Sequence, residues 1–139
     1  MEVRKKVTME KTNRESRPMM TKGQMEAEIS NAIITFEKEH MGRGPLEAKT
    51  HIVKDIAVIR LKGVLTPAEI NLSKDVEGIQ LIKQVRTKLL ENAQAMLGRI
   101  IQEITGVAPV SMFTDISTKT GERFIIFTLA QHVPAVVSE

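Results

Sequence analysis

The sequence predicts an α+β domain, built from a mostly antiparallel four-stranded sheet with helices packed on one face. Three observations carry that prediction. Apolar residues recur at helical spacing over 23–41 and again over 75–105. Each of these stretches stops at a glycine and is followed by a pair of β-branched runs. The two blocks echo one another at an offset of 64 residues.

The first helix is expected over 23–41. Met25, Ile29, Ala32, Ile33 and Phe36 form its apolar stripe, and Glu26, Glu28, Glu37, Lys38 and Glu39 fall off it. Thr21 is placed to cap its start, Gly42 to cap its end, and Gly44-Pro45 forbids continuation. Strands follow over about 47–54 and 56–62, with Lys54-Asp55 as a tight hairpin turn between them. Ala57, Ile59 and Leu61 alternate with Val58, Arg60 and Lys62, so one sheet face is buried and the other partly wet. Thr66-Pro67-Ala68-Glu69 has the pattern of a capping box with proline in the first turn, and opens a short helix to about Lys74. Asp75 caps one long helix that runs to Thr105-Gly106. Ile79, Ile82, Val85, Leu89, Ala93, Met96, Ile100 and Ile104 make its main stripe, and Leu81, Leu90, Leu97 and Ile101 widen it. A stripe that wide packs against a sheet or several partners rather than along a coiled-coil seam. Strands are expected at about 107–116 and 122–129, joined by Ser117-Thr118-Lys119-Thr120-Gly121, where Gly121 can supply a positive φ.

The echo aligns Glu39, Gly42 and Pro45 with Glu103, Gly106 and Pro109, and Thr50 and Ile52 with Thr114 and Ile116. It suggests a duplicated helix–hairpin unit with pseudo-twofold symmetry, the short helix serving as connector. Shared helix-exit chemistry also favours glycine and proline at those places.

Composition excludes several functions. The chain has 139 residues and no Cys, so disulfides, thiol catalysis, zinc fingers and iron–sulfur ligation are out. With no Trp, no Tyr and only 4 Phe it offers little for stacking bases. No apolar run approaches the ~18 residues of a membrane span, and the expectation is a soluble chain. The pI near 9.3 is a local property. Residues 1–22 hold 7 basic and 3 acidic side chains, and the other 117 residues hold 13 and 14. Residues 1–21 therefore read as a flexible basic arm, 22–130 as the folded body and 131–139 as a short tail. Met25, Met96 and Met112 read as gap fillers on apolar faces.

Few motifs suggest chemistry. Glu37-x-x-His40 has the spacing of a di-iron ligand pair, but the second motif that such a centre needs is missing, and both residues read as surface positions. Lys119-Thr120-Gly121 lacks the Ser-x-x-Lys that accompanies it in penicilloyl-transferring enzymes. One polar hairpin stands out: Asp115, Ser117, Thr118, Lys119, Thr120, Glu122 and Arg123. Arg43 lies in the corresponding turn of the first block. Brought together, Arg43, Lys119 and Arg123 would make a small-anion site, helped by backbone N–H groups around Gly42 and Gly121. The plainer alternative is a self-satisfied turn, with Arg123 paired to Asp115 or Glu122 across the strands.

Glu26-Ala27-Glu28-Ile29-Ser30-Asn31-Ala32, Gly42-Arg43-Gly44-Pro45, Gly63-Val64-Leu65-Thr66-Pro67-Ala68-Glu69, Thr105-Gly106 and Asp115 to Arg123 occur in that order. As a set they resemble the MpsC-like domain, over about residues 22–130. The resemblance implies the soluble component of a sodium-translocating, membrane-potential-generating system linked to bicarbonate supply, in which membrane subunits perform the translocation. It carries over no catalytic residues. The expectation is a non-enzymatic accessory or regulatory protein without cofactor or metal. It would be cytoplasmic or peripheral to the inner face of the membrane, and dimeric through an open sheet edge or the long helix. Two alternatives belong to other classes: a nucleic-acid-binding module that uses the basic arm, and a small-anion sensor built on Arg43, Lys119 and Arg123. The near-neutral body and the scarcity of aromatics make nucleic acid the weaker partner.

Overall fold

The computed structural model describes residues 20–135. The basic arm expected over 1–21 lies outside them apart from Met20 and Thr21, as does the end of the tail, 136–139. Helix α1 spans Lys22–His40, followed by strands β1 (Glu47–Val53) and β2 (Ile56–Lys62). Three helices come next: α2 (Pro67–Leu72), α3 (Val76–Asn92) and α4 (Gln94–Thr105). Strands β3 (Pro109–Ile116) and β4 (Arg123–Leu129) close the order. The sheet runs β1-β2-β4-β3 with every pairing antiparallel, so each hairpin contributes one central and one edge strand. The α+β class with a four-stranded antiparallel sheet is therefore what the chain forms.

Local chemistry explains the boundaries. Thr21 Oγ1 accepts from the Gln24 N–H while the Gln24 side chain accepts from the Thr21 N–H, a reciprocal capping box. Thr66 and Glu69 do the same for α2, with Pro67 in its first turn. Asp75 caps α3 through the Gly78 N–H at 2.7 Å. Lys54, at φ 58°, makes the two-residue turn that places Val53 opposite Ile56. Gly121 takes φ 75°, the left-handed conformation its turn requires.

The core lies between one sheet face and the helices. Ile29, Ile33 and Phe36 of α1 meet Ile52, Ala57, Ile59 and Leu61, while Leu90, Leu97 and Ile101 join Ile125, Phe127 and Leu129. Each large apolar side chain buried here contributes ~1.5–3 kcal/mol. Ser30 and Thr50 share a buried hydroxyl–hydroxyl bond of 2.8 Å where α1 crosses β1.

Three expectations need correction. The long helix is two helices, broken at Ala93, whose N–H is shared between the Leu89 and Leu90 carbonyls. That 3₁₀-type step reorients the chain. α3 packs along β3 and α2, whereas α4 packs on α1 and brings Gly98 against Pro109. One straight helix could not bury both faces. The buried stripe of α3 also differs from the expected one: Gly78, Ile82, Arg86 and Leu90 face inward, and Leu81, Val85 and Leu89 are exposed. Met96 is exposed as well, while Met25 is buried and Met112 packs against the core.

A buried charge cluster as candidate functional site

The inward stripes of three elements each carry one charged residue. In α1 the stripe Ile29, Ile33 continues to Glu37, which is 0 % exposed. In α3 the stripe carries Arg86, 4 % exposed. In β4 the alternation Ile125, Phe127, Leu129 begins at Arg123, 1 % exposed. Glu69 of α2 completes the set. Arg86 Nε donates to Glu69 Oε2 at 2.8 Å, Nη2 donates to Glu69 Oε1, and Nη2 also donates to the Val64 carbonyl at 2.9 Å. One guanidinium thus fastens α3 to both the start of α2 and the segment leaving β2.

Electrostatics divide the two acids. Burial pushes the Glu37 carboxyl above its ordinary value, and the nearby Arg123 and Arg86 charges only partly oppose this. Burial alone would raise Glu69 too, but the Arg86 hydrogen bonds and the Thr66 N–H outweigh it and hold that carboxyl at about 2. Burial lowers the Arg123 guanidinium, with Glu37 opposing. Both Glu37 carboxylate oxygens and the Nε and Nη1 of Arg123 are buried with no hydrogen-bond partner among the described residues. The cluster therefore pairs one fully satisfied ion pair with one carboxyl and one guanidinium that attract without touching. A carboxyl in that setting favours its proton.

The residues singled out in the sequence fall nearby but play separate parts. Arg43 donates to the Gly63 carbonyl at 3.4 Å. Its neighbour Val64 donates to the Gly121 carbonyl at 3.2 Å and accepts from Arg86. Arg43, Gly121 and the buried cluster thus meet around Gly63-Val64. Lys119 is exposed on the hairpin loop, beside a surface groove shared with Ile79, Lys83 and Thr118, whereas Arg123 lies inside the sheet–helix core. No hydrogen bond or ion pair joins Arg43, Lys119 and Arg123 among the described residues. Gly42 is exposed with φ 98°. The hairpin largely satisfies itself: Thr120 N–H donates to Ser117 Oγ, Glu122 N–H to Thr120 Oγ1 and Ile116 N–H to Asp115 Oδ1. Asp115 pairs with Lys83 at 3.3 Å and Glu122 pairs with Arg60, so neither takes Arg123. The Ile116 N–H, then Lys83, lowers the Asp115 carboxyl, and the Arg60 hydrogen bond lowers Glu122.

Glu37 corrects the surface reading of Glu37-x-x-His40: only His40 is exposed, with its ring 5.0 Å from that of Phe36. The signal for Glu37 and Arg86 lay in their positions, each four residues beyond a buried isoleucine on the same helical face. The 64-residue echo adds another. Glu37 corresponds to Ile101 and Arg123 to Ile59, both fully buried, so the charged pair occupies core positions.

The Gly42–Pro45, Gly63–Glu69 and Asp115–Arg123 segments thus converge around one cluster, on an antiparallel sheet with capped helices. The chain belongs to the MpsC family: the model described as "Na+-translocating membrane potential-generating system (MpsC)" matches residues 21–131. It is 44% identical over 109 residues to the uncharacterized protein YbcI of Bacillus subtilis (strain 168), covering 78% of this chain and 88% of that one. It is 25% identical over 107 residues to the uncharacterized protein YrhF of the same organism, covering 76% and 88%. No solved structure matches the chain.

Proposed function

We propose that this protein is a non-enzymatic accessory component of a sodium-translocating, membrane-potential-generating system serving bicarbonate supply. It acts at the cytoplasmic face by contact with the membrane subunits. The observation that carries this reading is family membership over residues 21–131, the whole folded body. No helix among the described residues is long and apolar enough to cross a membrane, so association would run through a surface. The outer side of α3 suits that task. Leu81, Val85 and Leu89 follow at four-residue spacing, exposed, with Lys83 and Lys88 beside them around a shallow groove. An apolar helix of a membrane subunit would bury this stripe.

The test is a pull-down of the tagged full chain from detergent-solubilised membranes of its own organism, paired with dye measurement of the sodium-dependent membrane potential in a deletion strain. Retention of sodium-transport subunits, lost on Val85→Lys, together with a diminished potential is the expected result. Recovery of the chain free of membrane proteins, with the potential unchanged by deletion, refutes the proposal. Removing residues 1–20 in parallel tests the nucleic-acid alternative, which requires steeply salt-dependent binding that vanishes with the arm.

A further inference from the structure

The sheet has a second face that no helix lies across; only at its β3 edge do Ile79 and Lys83 of α3 reach it, beside Asp115 and Phe124. Cross-strand register sets Lys49, Arg60, Phe124 and Asp115 side by side in one row. The next row is His51, Val58, Ile126 and Phe113. Beyond it, Val53 and Ile56 continue the apolar surface. Phe113 is 58 % exposed, and Val53, Ile56 and Phe124 are also exposed. A sheet face with an apolar centre is ordinarily covered.

We propose that a second copy of this chain covers it, in a two-fold sandwich with the symmetry axis along the strands. Turning the sheet over about that axis places β1 over β3 and β2 over β4 while keeping each row with itself. Lys49 then faces the partner's Asp115, and Arg60 faces the partner's Phe124. Val58 meets the partner's Ile126, and His51 meets the partner's Phe113. The charged row is self-complementary at its ends, Lys49 on β1 facing Asp115 on β3, while Arg60 and Lys62 are already paired with Glu122 and Glu47. Asp115 Oδ1 is engaged by the Ile116 N–H and Lys83, yet the residue stays exposed. Arg60 already lies over its own Phe124 ring at 5.8 Å, so the cation–π geometry is native to this row. An axis across the strands would instead set the charged row on the apolar one.

Four strands ~4.8 Å apart and about seven residues long give roughly 450 Å² in flat projection, a small interface beside the ~800 Å² per partner of a standard one, so the dimer would dissociate on dilution. The edges are poor templates for pairing: the Ile52 N–H of β1 is taken by Glu26 at 2.7 Å, and β3 starts with Pro109 and a register shift.

The test is sedimentation equilibrium of the full chain over a wide concentration range. A dimer is expected, and Phe113→Lys should raise its Kd by on the order of 100-fold or more, because each substitution counts twice in an isologous interface. Lys49→Glu should weaken it, and Lys49→Glu combined with Asp115→Lys should restore it. Circular dichroism checks that each variant is folded. A monomer at every concentration overturns the proposal. So does a dimer indifferent to Phe113→Lys, or one lost on Val85→Lys instead, which would move the interface to α3.

Discussion

Arg86→Met removes three hydrogen bonds while keeping most of the side-chain volume, so the loss is electrostatic rather than a cavity. The Val64 carbonyl, from a residue that is itself buried, loses its charged donor, worth ~1–3 kcal/mol. Glu69 loses one of the two partners, Arg86 and Thr66, that together hold its carboxyl at about 2 instead of 4.5. The whole displacement corresponds to ~3 kcal/mol, and since part of it stays with Thr66 and 23 % of the Glu69 side chain faces solvent, the loss is about 2. Glu37 also loses one of its two compensating cations. Relief from burying the guanidinium offsets part of the sum, leaving a destabilisation of about 3–4 kcal/mol. With a urea m-value of ~1.5 kcal/mol/M, the midpoint falls by ~2 M. Far-UV circular dichroism is the assay, because the chain has neither Trp nor Tyr. Glu69→Gln preserves the capping box, since Gln serves equally at that position, and so isolates the charge. The double variant should lose clearly less than the sum of the singles. A midpoint shift under ~0.5 M, or additive losses, refutes the claim that this pair fastens α3 to α2.

The other predictions concern pH and packing. Glu69, depressed in the fold, contributes stability that is full above its unfolded value of 4.5 and lost as pH falls towards about 2; Glu69→Gln should flatten the acid limb of a stability–pH curve. Glu37 is shifted the other way, so its fold prefers the protonated acid, and stability declines as pH rises from 4.5 through the raised value. Glu37→Gln should therefore be more stable than the parent at pH 8 and little different near pH 4, measured by thermal melts; a variant less stable at pH 8 contradicts that assignment. At Gly78 a Cβ would stand 1.8 Å from the Leu72 carbonyl oxygen. Gly78→Ala should cost about 2–3 kcal/mol by urea denaturation despite a helix-propensity gain of ~1 kcal/mol, and a stabilised variant would show that the α2–α3 junction yields freely.

The elements were readable because their causes are local. Thr21, Thr66 and Asp75 cap the helices they precede, Lys54-Asp55 turns the first hairpin and Gly121 the second, all through contacts within a few residues. Alternation in β2 likewise marked its buried face. The partition of α3 was not readable. Leu81, Val85 and Leu89 compete with Ile82, Arg86 and Leu90 for the same apolar reading, and hydropathy ranks an arginine outside. Which side turns inward depends on Glu69, Val64 and β3, none of them in the helix.

The sequence alone determined the class, the caps, the turns and the family, since each follows from short-range chemistry or an ordered set of segments. Only the tertiary structure decided that the helix breaks at Ala93, that Lys119 and Arg123 stand on opposite sides of the protein surface, and that Glu37, Glu69, Arg86 and Arg123 share one buried cluster. The physical reason is that a charge can enter a core only where distant residues supply its counter-charge. That supply is a property of the packed chain, not of any window along it.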